Sequence, residues 1–197
     1  MAVLSRASSG QSAAGHVFIV LALLLLVVFG GTHPASAQSE LQATEPRVKA
    51  AFLFKFGSYV EWPSGTFASA NAPLTIGVVD ADTLADELAA IVAGRSMDGR
   101  PVVVRKLHAG DTMAGLNIIF IGKTSSRRTA EILSPIKGRA TLAVTESDDA
   151  LDLGSTINFV IVDGKVRFDV ALPPAEAGGL KISSRLLAVA RKVRGPS

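Results

Sequence analysis

The chain has 197 residues, 48% of them hydrophobic and 19% charged, with a formal net charge of +3. That is the length of one domain with room for an appendage, and the composition of a folded globular protein. Having no cysteine excludes a disulfide scaffold, and 20 basic against 17 acidic residues, scattered along the chain, form no stripe for nucleic acid.

The first 37 residues read as a cleaved export signal. Thirteen consecutive apolar residues run from Val17 to Phe29, and Gly30-Gly31-Thr32-His33-Pro34 breaks any helix there. Ala35-Ser36-Ala37 then supplies a small-x-small processing pattern, with cleavage expected after Ala37. The alternative is an N-terminal membrane anchor, for which thirteen residues are short against the roughly 20 that span a bilayer. Loss of the segment removes Arg6 and leaves Gln38–Ser197, with 19 basic and 17 acidic residues, in the periplasm.

A polar leader over residues 38–47 precedes a helix expected from about Glu45 to Tyr59, with Pro46 in its first turn. Val48, Ala51, Phe52, Lys55 and Tyr59 fall near one face, and Phe54 and Phe56 lie off it. Trp62-Pro63 ends it. Short apolar runs follow at Leu74–Val79, Val102–Arg105, Asn117–Ile121 and Thr141–Val144, each apolar on both faces as strands between helix layers are. Helical patterns at Asp82–Ala93 and Thr124–Leu133 separate them, and 109–115 and 147–153 have room for a turn or two each. Thr156–Val162 and Lys165–Val170 flank Asp163-Gly164, a hairpin signal. A short helix at Pro173-Pro174 and a last helix over Ile182–Val193 close the chain. The pattern predicts a single α/β domain over residues 48–194. It is a three-layer sandwich with a mostly parallel sheet and an antiparallel C-terminal hairpin at one edge.

Catalytic motifs fail on inspection. Gly122-Lys123-Thr124 lacks the upstream glycine of a phosphate loop, since residue 117 is Asn. Ser134-Pro135-Ile136-Lys137 matches a serine-lysine spacing, but the serine sits at a helix end before proline. After processing only His108 remains, so no multi-histidine zinc site exists, and the acids Glu146, Asp148, Asp149 and Asp152 lack a calcium-loop pattern. No metal and no cofactor are expected. In an open α/β sheet ligands lie beyond the carboxyl ends of parallel strands, an edge that carries Asp80, Gly122, Lys123, Thr124 and Thr145. These are the candidate ligand-binding residues of a small-ligand-binding module.

Three segments, in order and spacing, resemble the YfiR-like family of exported bacterial proteins. They are Lys49-Ala50-Ala51-Phe52-Leu53-Phe54-Lys55-Phe56 through Trp62-Pro63, then Ile118-Ile119-Phe120-Ile121-Gly122, and Ile157-Asn158-Phe159-Val160 through Gly179-Leu180-Lys181-Ile182-Ser183-Ser184-Arg185-Leu186-Leu187. The resemblance implies an α/β sandwich that dimerises and a non-enzymatic periplasmic regulator. Such a regulator restrains an inner-membrane diguanylate cyclase, or accompanies a membrane histidine kinase, by contacting its periplasmic portion. Family members often carry a cysteine just before the central strand; this chain has Leu116 there, so a disulfide switch is impossible. Phe54, Phe56, Tyr59 and Trp62 cannot all face one sheet and are candidate partner-interface residues, unless a neighbouring helix or the 64–72 loop covers them. Arg185, in the first turn of the last helix, calls for an acidic partner. Asp169 or Glu61 within the domain would serve, as would another chain.

Overall fold

A computed structural model describes the backbone over residues 35–108 and 110–195, with side chains from Thr44 onward. Residues 1–34, with the apolar run of the expected signal, lie outside the described residues. Residues 41–197 form one compact unit; of residues 1–40, the described part belongs to the first helix. No helix among the described residues is long and apolar enough to cross a membrane.

The elements in chain order are α1 (Ala35–Gly57), β1 (Val60–Glu61), β2 (Leu74–Val79), α2 (Asp82–Val92), β3 (Ser96–Met97) and β4 (Arg100–Leu107). They continue with β5 (Ile118–Ile121), α3 (Ser126–Leu133), a 3-10 turn (Ser134–Ile136), β6 (Leu142–Thr145), β7 (Ile157–Val162) and β8 (Lys165–Ala171). The chain closes with α4 (Leu172–Ala177), β9 (Lys181–Ile182), α5 (Ser184–Val189) and β10 (Lys192–Arg194). Eight strands form one sheet in the order β10-β8-β7-β6-β5-β2-β4-β3. The run from β4 through β7 is parallel throughout, and β7–β8 is an antiparallel hairpin at the sheet's end with β10 laid outside it. Asp163 (φ 49°) and Gly164 (φ 69°) make its turn, both left-handed as a tight hairpin requires.

Alternate residues of the central strands divide between two cores, as the period of two demands. Ile76, Val78, Ile118, Phe120, Leu142 and Val144 face α1 and α2, whereas Val79, Ile119, Ile121 and Ala143 face α3. The result is the expected three-layer α/β sandwich. The larger core centres on rings: Phe56 is stacked on Phe159 (centroids 5.7 Å apart) and meets Phe168 edge-on at 5.2 Å.

Three expectations are corrected. First, α1 starts at Ala35, through the polar leader, so Pro46 is an interior residue. Its missing N–H leaves the carbonyl four residues back without a helical donor. Second, the buried face of α1 is Lys49, Ala50, Leu53 and Phe56, while Val48 and Lys55 are exposed. With apolar residues all round the helix, apolarity alone does not choose the face. Third, the last helix stops at Val189, and residues 192–194 run as β10 parallel to β8. The Arg191 amide donates to the Phe168 carbonyl at 2.8 Å and its guanidinium Nε to Asp169 Oδ1 at 2.8 Å, so tertiary pairing overrides helical propensity.

Candidate functional site

The carboxyl ends of β2, β5 and β6 meet the middle of α1 in a crevice of about 400 Å³ bounded by Glu45, Lys49, Asp80, Lys123 and Glu146. Lys49 is its centre. Only 6% exposed, it extends from the buried face of α1 and ion-pairs with both Glu45, one turn back, and Glu146, just past β6. Burial lowers the lysine pKa, and the two carboxylates more than offset that, holding it above its ordinary 10.5. Glu146 Oε1 also accepts the backbone N–H of Lys123 at 2.9 Å, and Ser147 Oγ holds Thr124 through both its N–H and its carbonyl. One carboxylate thus ties α1 to the β5–α3 loop.

Of the residues expected to bind a ligand, the structure brings Asp80, Gly122 and Lys123 together. The Asp80 carboxylate is engaged by Arg128 of α3 at 3.1 and 3.2 Å. A Cβ on Gly122 would sit 2.5 Å from the Asp80 carbonyl oxygen, so glycine is what lets the two loops touch. Thr124 has both backbone groups bound to Ser147. Thr145 is a correction: it is fully buried, and its hydroxyl is bonded to Asn158 Oδ1 at 2.7 Å and Ser155 Oγ at 3.0 Å, inside the sheet rather than at the crevice. The acidic run is also dispersed, with Glu146 on Lys49 and Asp152 on Arg194 at 2.6 Å. Among the described residues no group of three or more His, Asp or Glu is arranged to hold a metal. His108 is exposed, and its backbone N–H donates to the Asp111 carboxylate.

The aromatic candidates lie at the other end of α1, about 12 Å along the axis from Lys49 to Gly57. Phe56 is a correction, because it is fully buried among Phe52, Phe159 and Phe168 and presents nothing to a partner. Phe54 is half-buried with the Arg95 guanidinium 5.9 Å from its ring centre. Tyr59 and Trp62 are half-buried along an open groove of about 560 Å³. Trp62 meets Phe67 edge-on at 6.1 Å, and Arg100 stacks 3.9 Å over Phe67 while donating to the carbonyls of Ser69, Ala70 and Ala72. The 64–72 loop is therefore folded against one wall of the groove and leaves it open. The β1–β9 pair, Val60 opposite Ile182, clamps the far wall to the C-terminal region. Arg185 is exposed, and neither expected internal acid is its partner: Asp169 is held by Arg191, and Glu61 faces Lys181.

The family model described as YfiR/HmsC-like matches residues 46–191, from Pro46 in α1 to Arg191, the residue just before β10. The chain belongs to the YfiR/HmsC-like family. No curated protein matches it in sequence. The family segment takes in the Trp62 groove and all of the Lys49 crevice but Glu45, which stands one residue before it.

Sequence reasoning missed Lys49, which is the centre of the carboxyl-edge crevice. One half of the signal was present, since Glu45 and Lys49 are spaced i and i+4 on a helix. The other half, Glu146, lies 97 residues away and becomes a partner only through the fold.

Proposed function

We propose that this is an exported, non-enzymatic regulator that modulates a membrane-bound diguanylate cyclase, or a sensor histidine kinase, by contact with its periplasmic portion. On this reading it lowers cyclic di-GMP signalling and works as a homodimer. The observation that carries the reading is the family match over residues 46–191. Two features agree with it. The polar groups at the sheet's carboxyl edge are engaged with one another rather than directed into the crevice as an acid, base and nucleophile. The aromatic groove of Tyr59 and Trp62 is open, rimmed by Asp98 and Arg100, and has the aromatic-plus-arginine character of interface anchors.

The test is crosslinking in the periplasm of the native host, followed by mass spectrometry. Recovery of a membrane diguanylate cyclase or histidine kinase is expected, together with a rise in cyclic di-GMP when the gene is deleted. Self-crosslinks alone, under conditions that capture a control pair, would favour a periplasmic small-ligand-binding module instead.

A further inference from the structure

We propose that the outer edge of β4, residues 102–106, is the surface through which two copies of this chain join, antiparallel about Val104, into one continuous sheet. The inference rests on the homodimer reading above and names the surface which that reading leaves open.

Register leaves this edge without a neighbour. From Val102 to Leu107, β4 pairs with β2 on one side. On the other side β3 reaches only Arg100 and Pro101, and β3 is the last strand of the sheet. The β3–β4 turn decides which backbone groups face outward. Asp98 (φ 50°) and Gly99 (φ 77°) make a two-residue turn, so Met97 and Arg100 are its hydrogen-bonded pair. Backbone direction alternates along a strand, so Val102, Val104 and Lys106, like Arg100, turn their N–H and C=O groups away from β2. Natural sheets blunt such an edge with a charge, a proline or a bulge. Here Pro101 stands before the open stretch, and the Lys106 ammonium is drawn back onto Asp86 of α2 at 2.7 Å. Val102-Val103-Val104 carries no such guard.

Three features choose a second copy as the occupant. First, the register that pairs the whole open stretch with itself is centred on Val104, with Val102 opposite Lys106 of the second copy. It exchanges backbone hydrogen bonds at Val104 and at both Val102–Lys106 pairs, and it ends where β3 begins. Second, no like charges are opposed in that register. Val102 and Val104 pack toward the larger core, so Val103, 40% exposed, is on the other face, beside Arg105 of the second copy. Third, α2 runs antiparallel to β4. Asp82 and Asp86 lie at the Lys106 end, and Arg95 follows α2 at the other end, next to the Ser96–Pro101 pair. A two-fold axis at Val104 therefore sets the acids of one α2 toward Arg95 of the second copy.

The test is sedimentation equilibrium of the purified protein with two variants at one exposed position. The wild type is expected to dimerise. Val103→Lys sets a second cation against Arg105 of the other copy, twice per dimer, and should weaken association about ten-fold. Val103→Glu sets an anion there and should strengthen association by a similar factor at low salt. Thermal unfolding should be unchanged in both. Because the chain has no cysteine, Val104→Cys adds a single thiol at the axis, with Cα atoms about 5.5 Å apart across the pair. Oxidation should then give a covalent dimer, and Ile161→Cys, on exposed β7, should not. A wild type that is monomeric at about 100 µM overturns the proposal together with the homodimer; capture of the membrane partner by that monomer leaves the regulator reading standing. A dimer that answers both Val103 variants alike, or that crosslinks no better through residue 104 than through 161, overturns this surface alone.

Discussion

Lys49 shows how much of this domain rests on one buried charge. It reaches the interior from α1, and its two carboxylate partners come from its own helix and from the end of β6. Removing one member of such a pair leaves the others buried and uncompensated, which costs roughly 3 kcal/mol; replacing the pair with apolar groups of similar size is often neutral. Lys49→Met is therefore expected to lower the urea midpoint strongly, and Lys49→Met with Glu146→Leu to recover most of the loss. If the single and double variants unfold alike, the bridge is not an energetic unit. The pH dependence follows from the raised pKa. A group whose folded pKa lies above its unfolded value contributes fully below the unfolded value and loses that contribution as pH rises through the folded one. The contribution of Lys49 is thus constant through neutral pH and fades only above about 10.5, and the alkaline loss of stability should be shallower in Lys49→Met than in the wild type.

At the scale of elements, the last strand makes the sharpest case. Asp169 is 7% exposed and is held by a two-pronged contact from Arg191, at the point where the chain leaves α5 and enters β10. Arg191→Lys keeps the charge but not the fork, so it is expected to lower the melting temperature slightly and to raise amide exchange across β10. Exchange unchanged there would mean that backbone pairing alone holds the strand. A second element is fixed by contact rather than charge. Gly178→Ala drives a methyl group into the Arg139 carbonyl, two backbones with no side chain to yield, and should cost about 1–3 kcal/mol by thermal melt.

The same elements show where sequence was readable. β2, β5, β6 and the β7–β8 hairpin are apolar runs bounded by turn residues, and period and turn chemistry are local properties. Residues 182–193 have good helix formers, and nothing local says that Arg191 will leave the helix for an aspartate 22 residues back. The face of α1 was unreadable because a helix apolar on all sides carries no preferred direction until Gly57 is set against Met97 and Leu74. At the candidate site, Asp80 and Gly122 could be placed at the sheet's carboxyl edge from strand ends alone. That Arg128, Glu146 and Ser147 occupy that edge required the fold.

The whole molecule separates two demands on its aromatic residues, and this yields a discriminating pair of variants. Phe56 and Trp62 are six residues apart and both aromatic, but they serve different levels of the structure. Phe56 is enclosed by Phe52, Phe159 and Phe168, the rings that join α1 to the β7–β8 hairpin, so Phe56→Ala leaves a void between two layers and should cost about 3–5 kcal/mol. Trp62 lies beyond the end of α1 at the margin of the larger core, and its aromatic contact among the described residues is with Phe67, itself held in place by Arg100. Trp62→Ala should therefore lower the melting temperature less than Phe56→Ala does, leaving the protein folded at the assay temperature, while removing capture of the membrane partner. Phe56→Ala should reduce stability first, and lose capture only in step with the fraction unfolded. If Trp62→Ala is folded at the assay temperature and still captures its partner, the groove is not the contact surface, and the exposed face around Arg185 becomes the one to alter next.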